Sequence, residues 1–269
     1  MRTSEWIQAG FAAILAVAAW IVPLARRRRL NITLLALFAL VGVAIARASK
    51  LFLGPVASSI FRDWMPVAIT LVPYWQTGQF FIQPNEQIQA WLVASERRVS
   101  SVFSRIGWKV PYAAHLSMEW AYSFCYPIVP LGLAVLYSAG VRQYADTYWL
   151  LVLTPTYLCY AITPFFPAFP PRSLDNSPAP TPPRSKSRTF NLWISKHGSI
   201  QAISFPSAHV ASALGASFVL LHYVPVAGAI FLAISFWIAV GAVVGGYHYT
   251  IDVVLGAVVP LVVYFAWCA

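Results

Sequence analysis

Charge is scarce in this chain, and negative charge is scarcest of all. Only 10% of the 269 residues are Asp, Glu, Lys or Arg, against about 25% in an average soluble domain. Hydrophobic residues make up 59% of the sequence, which excludes a soluble globular domain and predicts a membrane protein. The charges present are 18 Lys and Arg against 8 Asp and Glu, a net charge of +10 that suits anionic lipid headgroups. The basic residues form no nucleic-acid-binding motif, so we expect a lipid bilayer as partner and no nucleic acid.

Cysteine is scarce as well. The chain has three cysteines, an odd number, and their spacing matches no metal-binding or disulfide pattern. Each lies in or at the end of an apolar run, so we predict that Cys125, Cys159 and Cys268 are buried small hydrophobic side chains. Strand-type alternation and solenoid-type repeats are also missing from the sequence. Helices are therefore the regular structure to expect.

Long apolar runs, by contrast, are abundant. A helix needs about 20 mostly apolar residues to cross a bilayer, and the runs predict an all-α integral membrane protein, a polytopic helix bundle that crosses the membrane several times. The first run is followed by "RRRR" and by no cleavage site, so we expect it to be retained. The expected spans are residues 5–25, 30–52, 112–139, 146–165, 207–223, 226–245 and 248–268. We interpret 1–269 as a single membrane domain with two N-terminal spans in 1–52, a re-entrant or interfacial region in 53–110, and a bundle carrying the candidate site in 111–269.

The region 53–110 breaks the pattern of spans. Pro66 and Pro73 interrupt its first part, which indicates an interfacial or re-entrant segment. Its second part predicts an amphipathic helix lying in the membrane plane, although the same stripe could pack on other protein. The apolar stripe consists of Ile88, Trp91, Leu92, Ser95, Val99, Val102, Phe103 and Ile106, and the polar face of Glu96, Arg97, Arg98, Ser101 and Arg105.

The segment 166–204 is rich in proline and serine in its first half and predicts an aqueous loop over the helix ends. Orientation follows from the run Arg26–Arg29, which lies in a short loop and is expected to face the cytoplasm. If residues 53–80 do not cross, four polar residues share the opposite, extracytoplasmic face: Arg172, His209, His248 and Asp252. If residues 59–80 do cross, the four still share a face, but the side of the membrane stays open.

Two histidines and an acid stand at the mouths of apolar helices. In "GGYHYTID", Asp252 follows His248 by four residues, one turn along the same helix face. A carboxylate there can hold one ring nitrogen and leave the other as a base or nucleophile. In "FPSAH", Ser207 is an N-cap candidate and His209 lies in the first turn, where free N–H groups favour an anion. Arg172, in "FPPRS", adds a bidentate donor for phosphate oxygens.

"FPSAH" and "YHYTID" resemble the second and third signature motifs of the phosphatidic acid phosphatase type 2 (PAP2) superfamily of membrane lipid phosphatases. "PPR", ending at Arg172, is similar to the shortened first motif of the branch that holds inositol phosphorylceramide synthase and the sphingomyelin synthases. The resemblance implies a six-helix core and a phosphohistidine mechanism without metal or other cofactor. It implies that His248 attacks phosphorus, Asp252 orients His248, His209 protonates the leaving oxygen, and Arg172 and Ser207 hold the phosphate.

The sequence departs from the fuller family pattern at two cations. Phe165 and Ala242 stand where a lysine and an arginine are expected, as in the sphingolipid synthase branch, which favours transfer of a lipid headgroup over simple hydrolysis. The basic residues available to complete the phosphate clamp are Arg184, Lys186, Arg188 and Lys196. The expected function is cleavage of a phospholipid or lipid phosphate by a phosphotransferase or phosphatase. The alternatives are a polyprenyl pyrophosphate phosphatase, a zinc-dependent membrane hydrolase using the two histidines and Asp252, and a lipid transporter.

Overall fold

A computed structural model describes residues 1–105, 110–175 and 183–269. All regular secondary structure in these ranges is helical, as predicted. Twelve α-helices are described: α1 (Thr3–Ile21), α2 (Arg26–Ala48), α3 (Pro55–Ile69), α4 (Val72–Gly78), α5 (Glu86–Arg105), α6 (Tyr112–Ser123), α7 (Ile128–Ser138), α8 (Ala145–Ile162), α9 (Lys186–His197), α10 (Ala208–Tyr223), α11 (Pro225–Val244) and α12 (Thr250–Cys268). Short 3₁₀ turns join several of them, among them Pro171–Ser173.

Four helices of the described chain are long and apolar enough to cross a membrane: α1, α2 with the turn that extends it to Leu51, α11 and α12. At most 39% of any of these segments is buried inside the protein. Their apolar side chains therefore face mostly outward, where lipid must cover them. The prediction of an all-α membrane protein is confirmed.

The predicted span 112–139 is wrong as a single helix. The structure has two helices there, α6 and α7, bent by 71° at a short break. Pro127 lies in the break and Pro130 in the first turn of α7, and proline removes the backbone donor that a continuous helix needs. The bend brings the segment around Cys125 and Tyr126 to the same end of the bundle as the start of α10.

The centre of the bundle is formed by α8 and α10, which were both predicted as spans. With 18 and 16 residues, they are not among the four candidate spans, and most of their side chains are covered by protein. Gly215 of α10 lies so close to α8 that a Cβ there would come within 2.5 Å of the Leu151 carbonyl oxygen. Small residues on α10 thus allow two central helices to touch along their backbones.

Helices α3 and α4 occupy most of the region 53–80 and pack against the α1–α2 hairpin. An ion pair joins Asp63 to Arg2 at the start of α1. Further along, the Gln76 amide donates to the carbonyl oxygens of Ala12 and Ile32, both at 3.1 Å. The pair thus runs from one end of the α1–α2 hairpin to the other. Their 15 and 7 residues give roughly 33 Å at 1.5 Å per residue, about the thickness of the hydrocarbon core.

Helix α5 forms as predicted, but its polar face was partly misassigned. Glu96 was placed on the polar face, yet it is 4% exposed and accepts hydrogen bonds from the backbone N–H and the hydroxyl of Thr250. Leu92 is fully buried, whereas Trp91 and Val102 of the expected apolar stripe are exposed. The helix therefore packs part of its surface on the start of α12, whose first N–H groups need an acceptor. Ile106, also assigned to the stripe, lies outside the described residues.

The predicted loop 166–204 contains a helix in its second half. Helix α9 begins at Ser185, whose hydroxyl accepts a hydrogen bond from the Arg188 backbone N–H at 3.1 Å. Asn191 in its middle is fully buried and donates to Glu119 of α6. The segment is thus a packed helix over the bundle end rather than an open loop. The prediction that all three cysteines are buried holds for Cys125 and Cys159 and is wrong for Cys268, which is exposed.

Candidate active site

A tight turn between α11 and α12 presents His248. The Ala242 carbonyl oxygen accepts two hydrogen bonds, from the backbone N–H of Tyr247 at 2.9 Å and of His248 at 3.0 Å. Gly246 within this turn has φ = +69°, a backbone conformation that a residue with a Cβ rarely adopts. Helix α12 then begins at Thr250. The histidine is thereby held just before a helix N-terminus, as the sequence indicated.

His248 and Asp252 form the predicted pair one helical turn apart. Nδ1 of His248 lies 2.5 Å from Oδ2 of Asp252, and the two residues are 4% and 0% exposed. When Asp252 is ionised its carboxylate only accepts hydrogen bonds, so Nδ1 of His248 then carries the proton and Nε2 the lone pair. Burial, followed by the positive charge of Arg172, lowers the pKa of His248, which keeps the ring neutral around neutral pH.

His209 faces the lone pair of His248. Its Nδ1 lies 3.4 Å from Nε2 of His248, and the ring centroids are 5.6 Å apart. Since Nε2 of His248 is the acceptor, Nδ1 of His209 is the donor in this contact. One hydrogen-bonded chain therefore runs from Asp252 through His248 to His209.

Ser207 occupies the N-cap position of α10, but its hydroxyl makes no capping bond and has no hydrogen-bond partner among the described residues. The side chain is fully buried against α12, where a Cβ at Gly256 would come within 2.6 Å of the Ser207 carbonyl oxygen. The backbone N–H of Ser207 donates to the Asp252 carbonyl oxygen at 3.2 Å. Ser207 thus joins the starts of α10 and α12 and does not line the cavity in front of the histidines.

Arg172 completes the group on the open side of the two histidines. Its backbone N–H donates to the Gly246 carbonyl oxygen at 2.9 Å, and its Nη1 contacts the Tyr247 carbonyl oxygen at 3.3 Å. The guanidinium lies over the Tyr247 ring, 5.3 Å from its centroid. These contacts fix the side chain beside His248 and leave further N–H groups for phosphate oxygens.

Arg172, His209 and His248 line one small cavity of about 30 Å³. This is the room of about one water molecule, so a phosphate group requires the side chains at the rim to move outward. Tyrosines form much of the wall, and the rings of Tyr122 and Tyr247 are stacked at 3.9 Å. The remaining lining residues include Tyr74, Tyr126, Ser195, Ser199 and Ser204.

The predicted basic residues of the loop do not complete the clamp. Arg184, Lys186 and Lys196 are exposed and are not among the residues that line the cavity. Arg188 lies behind Tyr247, where its Nη1 donates to Glu119 at 2.7 Å and to the Gly245 carbonyl oxygen at 3.2 Å. Arg188 therefore stabilises the turn that carries His248 and stands one layer away from the cavity.

Glu119 is the centre of this second layer. Its carboxylate accepts from Arg188, from the Asn191 amide at 2.8 Å and from the Tyr247 hydroxyl at 2.7 Å, and it is 4% exposed. Glu119 lies within the predicted span 112–139. Its partners come from α9 and from the turn after α11, and no local spacing signals such a distant set.

Several lining residues were not found from the sequence at all. Tyr74 comes from α4, and its hydroxyl accepts from the Ile200 backbone N–H at 2.9 Å; Ser195 and Ser199 come from the end of α9 and the residues after it.

The two positions where family cations are missing differ in location: Phe165 is 75% exposed, and Ala242 is fully buried beneath the turn. Among the described residues, no group of three or more His, Cys, Asp or Glu side chains is placed to hold a metal ion.

The arginine run lies at the same end of the bundle as the cavity. Nη1 of Arg28 donates to the carbonyl oxygens of Gln79 and Phe81, at 2.8 and 2.5 Å. Trp75, one turn earlier, donates to the Gly198 carbonyl oxygen at 3.1 Å, beside Ser199 of the cavity wall. The sequence argument placed this run and the site on opposite faces if residues 53–80 do not cross, and left the side open if residues 59–80 do.

Comparison with known families adds one finding. A family model described as the PAP2 superfamily matches residues 89–266, well over half of the chain, and the match includes α5 to α12 and every residue of the cavity except Tyr74. No curated protein and no solved structure matches the chain.

Proposed function

The chain belongs to the PAP2 superfamily, whose members are phosphatase-type enzymes, and on this premise we propose that it cleaves a lipid phosphoester through a phosphohistidine on His248. The observation that carries the proposal is the chain of contacts from Asp252 to His248 to His209. It leaves the lone pair of the His248 ring on Nε2, where His209 now contacts it, and both histidines line the cavity that Arg172 also lines. We propose a phosphotransferase as the first candidate and a lipid phosphate phosphatase as the second.

In the first step, Nε2 of His248 attacks phosphorus and the P–O bond to the lipid alcohol breaks. Nδ1 of His248 keeps its proton and its hydrogen bond to Asp252. The carboxylate of Asp252 stabilises the positive charge that develops on the ring. His209 gives a proton to the leaving oxygen, and an anionic phosphate beside it favours its protonated form. The guanidinium of Arg172 contacts the non-bridging oxygens.

In the second step, an acceptor hydroxyl attacks the phosphorus of the phosphohistidine. His209, now neutral, takes the proton of that hydroxyl, and the P–N bond breaks to return the lone pair to His248. Water as acceptor gives hydrolysis, and an alcohol gives transfer. In both cases His209 ends the cycle protonated, as it began.

The scarcity of cations at the site favours a phosphodiester donor, and with it transfer of a headgroup. Phe165 and Ala242 supply no cation, and Arg188 is engaged by Glu119. A phosphodiester, which carries less charge than a monoester, needs fewer cations around it. The resemblance to the sphingolipid synthase branch supports the same choice.

The test is a product analysis with purified protein in detergent. The protein is incubated with one of three substrates labelled in phosphate: phosphatidic acid, phosphatidylinositol or a polyprenyl pyrophosphate. Each incubation is run with and without an acceptor, which is inositol, ceramide or diacylglycerol. The protein is then examined for acid-labile, base-stable label. We expect label on His248 and an increase in transferred product with one acceptor. His248→Ala should abolish both, whereas His222→Ala, at the opposite end of α10 from His209, should retain them. Full turnover by His248→Ala would refute the mechanism.

We also propose that the protein crosses the membrane several times and that the cavity and the run Arg26–Arg29 share one side. The positive-inside rule applied to that run assigns the shared side to the cytoplasm, opposite to the side expected from the sequence count. Single cysteines at exposed positions test this in a Cys268→Ala background, with Ala25→Cys, Gln201→Cys and, at the other end, Gln143→Cys. On sealed vesicles, an impermeant maleimide should either label both Ala25→Cys and Gln201→Cys or label neither, and Gln143→Cys should give the opposite result. Labelling of only one of Ala25→Cys and Gln201→Cys would exclude a shared side.

A further inference from the structure

A second cavity lies directly beside the histidines and is much larger. It measures about 370 Å³, within the range of about 300–1,000 Å³ typical of ligand pockets. One wall is Val67 of α3 and Leu71 after it, the opposite wall is Val129 of α7 and Val152 of α8, and His209 stands at one end. Helices from both halves of the chain therefore enclose it.

Three hydroxyl groups that line this cavity are already engaged within the protein. The hydroxyl of Thr156 donates to the Val152 carbonyl oxygen at 2.6 Å, and that of Ser212 to the His209 carbonyl oxygen at 3.1 Å. Ser199 likewise donates to the Ser195 carbonyl oxygen at 2.6 Å. A polar ligand would find few free partners there, whereas a hydrocarbon would lose none.

The large cavity adjoins the site of the chemistry. It shares Tyr74, Tyr126, Ser199 and His209 with the small cavity that holds His248 and Arg172. His209 is the residue that protonates the leaving oxygen in the proposed mechanism. Whatever is attached to that oxygen must therefore extend past His209.

The opening of the large cavity is apolar as well. Leu71, Trp75 and Tyr126 line it and are exposed by 44%, 40% and 37%. Leu71 and Trp75 flank the start of α4, and Tyr126 lies at the bend between α6 and α7. A gap bordered by such side chains in a membrane protein admits lipid sideways from the bilayer.

We propose that this cavity binds one hydrocarbon chain of the lipid alcohol that leaves from phosphorus, a proposal that rests on the proposed function. A methylene group is close to water in size, about 30 Å³. The cavity therefore has room for roughly a dozen methylene groups, which corresponds to one hydrocarbon chain rather than two. Its wall at 67–75 lies outside the residues that match the family model. The N-terminal helices thereby set the chain length that this enzyme accepts.

The kinetic test fills the cavity from that wall. Val67→Trp places an indole inside it, and Ala68→Trp places the same ring on the exposed side of the same helix as the matched control. Purified variants are compared for phosphohistidine formation from hexadecyl phosphate and from butyl phosphate. We expect kcat/KM for hexadecyl phosphate to fall at least about tenfold in Val67→Trp alone, with butyl phosphate unchanged. An equal loss with both substrates, or no loss, would overturn the proposal.

A binding test on the unaltered protein separates this proposal from the mechanism. Hexadecyl phosphate with a diazirine at the end of its chain is photolysed on the full protein, and the labelled residues are mapped. Label on residues 67–75 or 152–160 supports the chain site even when no phosphohistidine forms, in which case the proposed function alone has failed. Label confined to outward-facing residues of α1, α2 or α11 refutes the chain site.

Discussion

Replacement of Asp252 by Asn tests the orienting contact at the centre of the site. The substitution keeps the shape of the side chain and leaves the backbone carbonyl of residue 252, which accepts from Ser207, untouched. It removes a charge-assisted hydrogen bond of 2.5 Å between two buried groups, worth about 1.5–3 kcal/mol. At about 1.4 kcal/mol for each factor of ten, this loss alone lowers the rate of attack by roughly 10- to 150-fold.

A second effect adds to the first. The amide of Asn can donate to Nδ1 of His248, which moves the ring proton to Nε2 and blocks the nucleophile. In serine proteases the same change of carboxylate to amide lowers kcat by about 10⁴ through the wrong tautomer. We therefore expect phosphohistidine formation on His248 to fall at least about 100-fold in Asp252→Asn.

The assay is a single-turnover experiment with labelled lipid phosphate, quenched in base at several times and at several pH values. Burial already lowers the pKa of His248, so its ring is neutral in both proteins and higher pH should not rescue the variant. Asp175→Asn, an exposed acid in the loop, serves as the control. A loss of less than about threefold, or recovery at high pH, would refute the orienting role.

Three further outcomes follow from the same contacts. Arg172→Lys should lower kcat/KM about tenfold or more, since an ammonium lacks the planar fork of donors. In the control Arg184→Ala, kcat/KM should stay within about twofold of the unaltered protein, because Arg184 does not line the cavity. Glu119→Ala leaves the partly buried Arg188 without its ion-pair partner and should destabilise the protein by about 3 kcal/mol. Arg188→Met should cost less, because Glu119 keeps its amide and phenol donors. Thermal unfolding in detergent would contradict this order if Arg188→Met melted at a lower temperature than Glu119→Ala. Finally, dialysis against a strong chelator should leave turnover unchanged, and restoration of lost activity by zinc would favour the metal-dependent alternative.

The local part of the site is readable in the sequence because it depends on residues close together in the chain. His248 lies just before α12 and Asp252 in its first turn, so the spacing of four residues brings the two side chains together, and the turn before them is marked by two glycines. His209 joins them because α10 and α12 both begin at the same end of the bundle. Spacing and apolar periodicity contain this information, so the pair and its neighbour can be predicted without a structure.

The surrounding layer is not readable in this way. Glu96 looks like a surface residue, since arginines follow it in the chain, and only the docking of α5 on Thr250 buries it. Glu119 and Arg188 are 69 residues apart, and Tyr74 reaches the cavity from a helix outside the family match. Such contacts depend on tertiary packing, which a single sequence does not encode in any local pattern.

The side of the membrane proposed for the site depends on the pair α3–α4. Prolines lie in both helices, which have only 15 and 7 residues, so hydropathy alone does not identify the pair as a crossing. If the pair crosses, as we propose, a count that omits it reverses the side assigned to every later segment. The relative placement of those segments stays intact, because Arg172, His209 and His248 all follow the pair in the chain. The convergence of the three residues was therefore a sounder inference than the side of the membrane on which they lie.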